Sequence, residues 1–518
     1  MFYKAGRPKL QFVAMLADLV EGQPRRVEIG VTKIMVLRLG DAIRAFTAEC
    51  PHAKAPLDQG AVCGNRLVCP WHKAVFSLDD GAVLEPPALD RLTRYPVQVE
   101  QGAVMVGANP IAEEPVEVVP DDTMPGPGVM LVVGGGAAGA AAVSALREFG
   151  FGGRVVLAAG EPGAPYDRTA LSKFVMAGVM PPDAVPAVRD PAWLDEHRIE
   201  CRHGVVTRLD AAARQAWFED GTMVDYTAAL VATGGAPRRL DIPGAQLAGV
   251  HILRSAADAA AIVAEAREGV RVVILGSSFI GLEVASALRE RNAEVTVVSP
   301  EDLPFGRQFG RRIGAMFRRM HEAHGVAFHT GQASRLAGTG RVQAVIVGQR
   351  ALPADLVIVG IGVQPATSFV EGVDKGHDGG IVVDAGMRAA EGLYAAGDIA
   401  AFPWHGAPTR IEHWRVAQQH ARIAARNMLG GDGRYAGVPF FWTYHYGRRF
   451  EYFGHAEHWD RTMVDGDLDS GRFVAMLVRA DTVAAVVACG REQETGALIE
   501  RMREPLMQDE AMGMLRRG

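Results

Sequence analysis

Cysteine is scarce in this chain, with 5 in 518 residues. So few cannot build a disulfide framework, and a reducing cytoplasm is the expected compartment. No apolar run reaches the roughly 18 residues of a membrane span. The N-terminal "MFYKAGRPKLQF" has no apolar core and no small-residue cleavage site, so no secretory signal is expected. An excess of positive charge is missing too: the formal net charge is -6, which argues against nucleic acid and anionic lipid as partners. What remains, 48% hydrophobic and 22% charged residues, is an ordinary globular composition. The length exceeds what one hydrophobic core holds, so several domains are expected.

Three kinds of pattern divide the chain. Residues 1–108 carry short period-2 stretches such as "RRVEIG", "KIMVLRLG", "AIRAFTA" and "YPVQVE", broken by Gly and Asp, which predict a small all-β domain. Residues 109–127, rich in Pro and acid, predict an extended linker. From residue 128 apolar strands alternate with Ala-rich helices, the mark of parallel α/β layers. A strand, Gly-rich turn and helix occur there twice, in "VMLVVGGGAAGAAAVSALREFG" and "VRVVILGSSFIGLEVASALRERN". Two such units predict two dinucleotide-binding folds. The expected division is 128–248 and 376–432 for the first, 249–375 for the second, and 433–518 for a C-terminal α+β domain.

The cysteines are placed unevenly. Cys50-x-His52 is followed, sixteen residues on, by Cys69-x2-His72. Thiolates and imidazoles hold iron, zinc and copper. Two matched Cys/His pairs let two thiolates hold one iron and two imidazoles the other, the Rieske [2Fe–2S] arrangement. The same donors also suit a tetrahedral zinc ion. The stretch resembles Rieske ferredoxin domains in its spacing and in the flanking "CPH" and "CPWH". Cys63 has no second extra cysteine nearby for a loop disulfide, so the resemblance is to the ferredoxin type. Lys54 and Lys73 stand where many relatives have Gly; they either tune the cluster or are solvated loop lysines.

Gly134, Gly136 and Gly139 form G-x-G-x-x-G directly after a strand and at the head of a helix, which suits a pyrophosphate. The segment "EPGAPYDRTALSK" resembles the "PYxRPxLSK" segment of FAD-containing ferredoxin reductases and apoptosis-inducing factor. That resemblance places Arg168 and Lys173 against FAD. It puts the ribose-binding acid at Gly160, so Glu161 would have to serve from one residue later. "ALVATGG", with Thr233, and "LYAAGDIAAF", with Asp398 at the start of a helix, add to the likeness. Asp398 would bind the FAD ribityl chain, although a helix N-cap is the plainer reading. His413 and Trp414 match residues that sit near the flavin.

In the second unit Gly276 and Gly281 flank Ser278, where a middle Gly is usual. By the same resemblance this unit binds NAD(P)H, Phe279 lies by the nicotinamide, and Glu283 pairs with Lys173 beside the flavin. Ordinary packing is the competing reading of Phe279. After "EVTVV" the acid position is Ser299, followed by Glu301 and Asp302, with Arg307 near enough for a 2′-phosphate. The acids favour NADH over NADPH.

The whole chain thus resembles a Rieske domain fused to a reductase of the ferredoxin-reductase and apoptosis-inducing-factor family. The resemblance implies FAD, NAD(P)H with NADH preferred, and a [2Fe–2S] cluster. It implies electron flow from NADH to a redox partner protein or small acceptor, in a monomer or homodimer. The other reading is a redox-sensing or signalling protein whose slow NADH oxidation changes its shape or assembly.

Overall fold

The computed structural model describes residues 9–112 and 128–516. The linker expected at 109–127 therefore lies almost wholly outside the described residues.

Residues 9–107 form three small antiparallel sheets. One joins Leu10–Met15, Ala103–Gly107 and Val97–Glu100; one joins Arg25–Ile29, Thr32–Leu39 and Ala42–Thr47. The third has four short strands, Ala61–Cys63, Arg66–Val68, Val75–Ser77 and Val83–Glu85. Cys50 and Cys69 belong to the core between these sheets, with Phe46, Leu57, Leu67 and Phe76.

The first α/β unit is a six-stranded sheet in the order Ile199–His203, Arg154–Ala159, Val129–Val133, Ala228–Val231, Leu393–Ala395, Arg388–Ala390. Its central strands are apolar along their whole length because both faces are covered, by the helices Ala137–Glu148 and Trp414–Met428 and by the antiparallel strands Val206–Asp210, Gln215–Phe218 and Met223–Asp225. The helix Ala137–Glu148 fits closely because six of its twelve residues are Ala. The second unit has five parallel strands, Val250–Ile252, Leu356–Val359, Arg271–Leu275, Glu294–Ser299 and Ala327–Thr330. It is inserted between two stretches of the first. The C-terminal unit is an antiparallel five-stranded sheet, Phe440–His445, Arg448–Gly454, Thr482–Cys489, Arg472–Arg479 and Arg461–Asp467. The helices Glu492–Arg501 and Gln508–Leu515 follow.

The small N-terminal domain does not stand apart. Val68 and Val75 share one hydrophobic core with Phe440, Phe453 and Leu498 of the C-terminal sheet and helix. Polar groups fix this seam and a second one against the first α/β unit. Arg66 pairs with Glu500 at 2.6 Å, Arg189 binds Asp90 with contacts of 2.8 and 2.9 Å, and Arg415 donates to the Pro86 carbonyl at 2.8 Å. The first and last domains of the chain are thus packed together.

Candidate redox site

A cavity of about 700 Å³ opens at the carboxyl ends of the first sheet's strands. The glycine turn forms its floor. Gly134 has φ 123°, a conformation open to glycine alone in practice, and a Cβ on Gly139 would lie 1.9 Å from the Gly134 carbonyl oxygen. A Cβ on Gly136 would meet no atom within 4 Å, so that residue faces open space of the kind a pyrophosphate fills.

Most of the residues expected here line this cavity: Gly134, Gly136, Glu161, Arg168, Lys173, Thr233, Glu283, Asp398 and Trp414. Glu161 is already engaged, since its carboxylate binds Arg168 and accepts from the Tyr166 hydroxyl at 2.7 Å. Thr233 donates to the Ala366 carbonyl at 2.7 Å. Asp398 is not at the head of a helix. It sits in the single turn Gly397–Ile399, makes no capping bond, and is followed by the strand Ala400–Trp404. The N-cap reading fails, and burial raises its carboxyl above the usual range. The long helix begins later, at Trp414, with His413 as its N-cap residue.

Two expected residues lie elsewhere. Phe279 packs against Phe305, Phe309 and Phe441, with centroids 4.7, 5.7 and 4.5 Å away. Its neighbour Ile280 faces the cavity. The turn of a helix explains this: Ile280 and Glu283 share a face at i, i+3, and Phe279 points away from it. His413 packs at a tilt against Phe441 at 4.6 Å, and burial pushes its imidazole down to about 3.

Lys173 donates to Glu283 at 3.0 Å, and both are buried. Ser172 and Thr443 also donate to that carboxylate, at 2.5 and 2.7 Å. The Trp414 Nε1 is buried without a partner at the cavity wall. A large cavity, an open glycine turn and an unpaired buried donor fit a bound flavin dinucleotide.

The second glycine turn repeats the first. Gly276 has φ 110°, and a Cβ on Gly281 would come within 2.4 Å of the Gly276 carbonyl. Ser278 turns its hydroxyl back to the Gly360 carbonyl at 3.1 Å, which leaves the groove clear. Ser299 is held by the Ser277 hydroxyl at 2.9 Å, and Glu301 pairs with Arg307 at 2.8 Å. Glu301, Asp302, Arg307 and Arg311 rim a shallow recess beyond this turn.

In the N-terminal domain the free thiols of Cys50 and Cys69 share a hydrogen bond, which raises Cys50 well above its ordinary value. The two imidazoles lie Nδ1 to Nδ1 at 3.1 Å. Among the described residues no three His, Cys, Asp or Glu side chains are placed to share one metal ion. Separate thiol and imidazole pairs fit a binuclear cluster better than a single zinc ion.

Lys54 and Lys73 both have positive φ, 59° and 57°, which explains why glycine suits these positions. Lys54 is exposed. Lys73 is not a solvated loop lysine: it is 0% exposed, and its ammonium bonds Glu451 of the C-terminal sheet at 2.9 Å. It also donates to the Pro70 and Glu492 carbonyls at 2.8 and 3.2 Å. Trp442, which belongs to none of the motifs read from the sequence, packs on the His72 ring at 4.2 Å. The strand Phe440–His445 therefore touches both sites: Trp442 meets His72, and Thr443 meets Glu283.

Comparison with known proteins agrees with this geometry. Residues 9–96 match the Rieske [2Fe-2S] domain, 129–421 the pyridine nucleotide-disulphide oxidoreductase family, and 440–509 the reductase C-terminal domain. Human apoptosis-inducing factor 3 is 34% identical over 92% of this chain and 81% of its own length. The ferredoxin–NAD(+) reductase component of the biphenyl dioxygenase system from Paraburkholderia xenovorans is 38% identical, over 70% of this chain and 90% of its own. The crystal structure of the ferredoxin reductase for the CYP199A2 system of Rhodopseudomonas palustris superposes with a TM-score of 0.70 at 27% identity. It covers 74% of this chain and 96% of that one. The chain is an oxidoreductase of the pyridine nucleotide-disulphide oxidoreductase family, a flavoprotein of the ferredoxin-reductase type that carries its own Rieske [2Fe-2S] domain.

Proposed function

We propose that this chain takes a hydride from NADH and delivers single electrons through its own Rieske domain to an acceptor outside it. The flavin and the cluster, when bound, supply the conversion from a hydride to single electrons. The observation that carries this reading is the docking of the Rieske domain. Its ligand His72 rests on Trp442, whose strand neighbour Thr443 bonds the Lys173–Glu283 pair at the flavin cavity.

The protein's own residues hold and orient. Arg168, Glu161 and Tyr166 brace one wall of the cavity, and Gly134, Gly136 and Gly139 leave room for the pyrophosphate. Lys173 stands at the wall, with Glu283 fixing its place. Glu301 selects the ribose hydroxyls of NADH, and its pairing with Arg307 draws that arginine away from a 2′-phosphate. The relatives support the outlet. Several are named as reductase components of dioxygenase systems, and one solved neighbour, with TM-score 0.69 and 28% identity, is a covalent putidaredoxin reductase–putidaredoxin complex. Fusion replaces such an encounter by a tethered one, which raises the effective concentration of the carrier.

A redox-sensing role is the second reading. The match to apoptosis-inducing factor 3 over 92% of the chain favours it. One experiment separates the two. In His72→Ala, stopped-flow flavin reduction by NADH should stay near wild type, while steady-state cytochrome c reduction falls by at least about tenfold. Turnover of tens per second in the wild type supports the enzyme. Turnover below about one per second, or unchanged cytochrome c reduction in His72→Ala, overturns the proposed route. Wild-type protein should also show a rhombic EPR signal of low average g; zinc in place of iron would remove the cluster from the scheme.

A further inference from the structure

Behind the Lys173–Glu283 pair the seam between the second α/β unit and the C-terminal sheet buries two histidines that no cofactor site uses. His445 and His321 are both 0% exposed. The Thr443 hydroxyl touches the Glu283 carboxylate at 2.7 Å and the His445 Nε2 at 2.9 Å. The His445 and His321 rings meet edge to face with centroids 5.2 Å apart. The His321 Nδ1 lies 2.9 Å from the half-buried Tyr446 hydroxyl, and the exposed His324 stacks on the Tyr446 ring at 3.7 Å. Two ring nitrogens in this series, the His445 Nδ1 and the His321 Nε2, have no close hydrogen-bond partner and do not bond each other; the Leu282 carbonyl lies beside the His445 ring.

Packing alone does not account for them. Phe305, Phe317 and Phe450 surround His445, with centroids 6.3, 5.4 and 5.9 Å away. A phenylalanine would suit that pocket and leave no polar atom unpaired, whereas a buried nitrogen without a partner is costly.

We propose that Glu283, Thr443, His445, His321 and Tyr446 form a proton exit from the flavin cavity to the surface. The inference rests on the function proposed above and adds the path of its proton. Oxidation of one NADH by two one-electron acceptors gives NAD⁺, two reduced acceptors and one proton. That proton is set free inside a cavity walled by protein. Glu283 takes it and returns it from Oε1 to the Thr443 oxygen as the Thr443 hydrogen passes to the His445 Nε2. His445 gives up its Nδ1 hydrogen to the His321 Nε2 across the edge-to-face contact of the two rings, which a turn of one ring must first close to a hydrogen bond. His321 gives its Nδ1 hydrogen to the Tyr446 oxygen, and the phenol hydrogen leaves to water. At each group one bond to hydrogen forms and one breaks, so no net charge stays behind.

Burial holds both imidazoles far below their ordinary range, so each is neutral with one N–H and one lone pair. A neutral imidazole can accept at one nitrogen and donate at the other. Burial likewise holds the Tyr446 phenol protonated.

The test uses the full-length holoprotein with NADH and ferricyanide in weak buffer, with a pH-indicator dye in the stopped flow. Proton release in wild type should keep pace with acceptor reduction. In His445→Phe it should slow by about 10²-fold, the scale of a lost proton-transfer group, while the melting temperature holds or rises. Tyr446→Phe keeps the ring on His324, removes one oxygen, and should slow release similarly. In flavin-free protein, Tyr446→Phe should also shift the ¹⁵N ring signals of both His321 and His445. Proton release at the wild-type rate in both variants overturns the proposal, as does an unmoved His445 signal. A wild type that does not oxidise NADH overturns the function on which it rests.

Discussion

Glu451→Gln is the sharpest probe of how the Rieske domain is held. Glu451 is 2% exposed and Lys73 0%, so this is a fully desolvated pair that joins the first domain to the last. One carboxylate oxygen faces the ammonium at 2.9 Å and the other accepts from Thr495 at 2.6 Å. Glutamine keeps the volume but removes the charge and one acceptor. Lys73 retains two carbonyls yet loses its counter-ion, and a buried pair broken on one side costs about 3–5 kcal/mol. At about 1.4 kcal/mol per factor of ten, the docked arrangement loses between about 10² and 10⁴ in its equilibrium constant. Urea unfolding of the full chain measures the loss in stability, and solution scattering measures whether the domains part. Replacing both partners, as Lys73→Met with Glu451→Met, should recover most of the loss, since an apolar pair of similar volume can be neutral. A Glu451→Gln protein within about 0.5 kcal/mol of wild type would refute the reasoning and show that the pair is solvated.

Further outcomes follow from other sites. Gly139→Ala forces a Cβ to 1.9 Å from the Gly134 carbonyl and should abolish FAD retention, read by the flavin absorbance of purified protein. Arg307 is already held by Glu301, so Arg307→Ala should leave kcat/KM for NADH within about threefold, a change of under ~1 kcal/mol; a larger loss would reassign it to nucleotide binding. Burial pushes His413, His420 and His445 down to about 3, against about 6.5 in an unfolded chain. Above about pH 6.5 all three are neutral in both states and cost nothing. Below it the unfolded chain gains protons that the folded chain refuses, at up to about 1.4 kcal/mol per group and pH unit, or about 4 for the three. Urea midpoints at pH 7, 6 and 5 should fall accordingly; a flat profile would show that these rings take protons while folded.

Much of this architecture was legible because its signals are local. The Cys/His spacing and the two glycine turns each lie within about thirty residues, and they announce both the fold and the cofactors. What could not be read depends on distant partners. Lys73 looks like a loop lysine until Glu451, 378 residues away, is folded against it. Asp398 matched its motif, yet the chain turns into a strand where a helix was expected, because Ala400 to Phe402 are needed in the core. Phe279 stands at the right offset from the glycine turn, but three phenylalanines from two other segments draw it away. The strand Leu10–Met15 pairs only with Ala103–Gly107, far along the chain, so it had no hairpin signal of its own. His321 and His445 belong to no motif, and only the crossing of a helix with a strand brings them together.

The seat of the first domain is made by the last 80 or so residues, through Trp442, Glu451 and Glu500. A ribosome releases the chain from its N-terminus, and domains fold as they emerge. While the rest of the chain is still being made, the Cys50–His52 and Cys69–His72 loops have no Trp442 against them. Iron and sulfide can therefore be loaded from the side that later becomes the seam. Completion of the C-terminal sheet then covers that side. Order of synthesis thus leaves the Cys50–His52 and Cys69–His72 loops uncovered by Trp442 until the C-terminal sheet has been made.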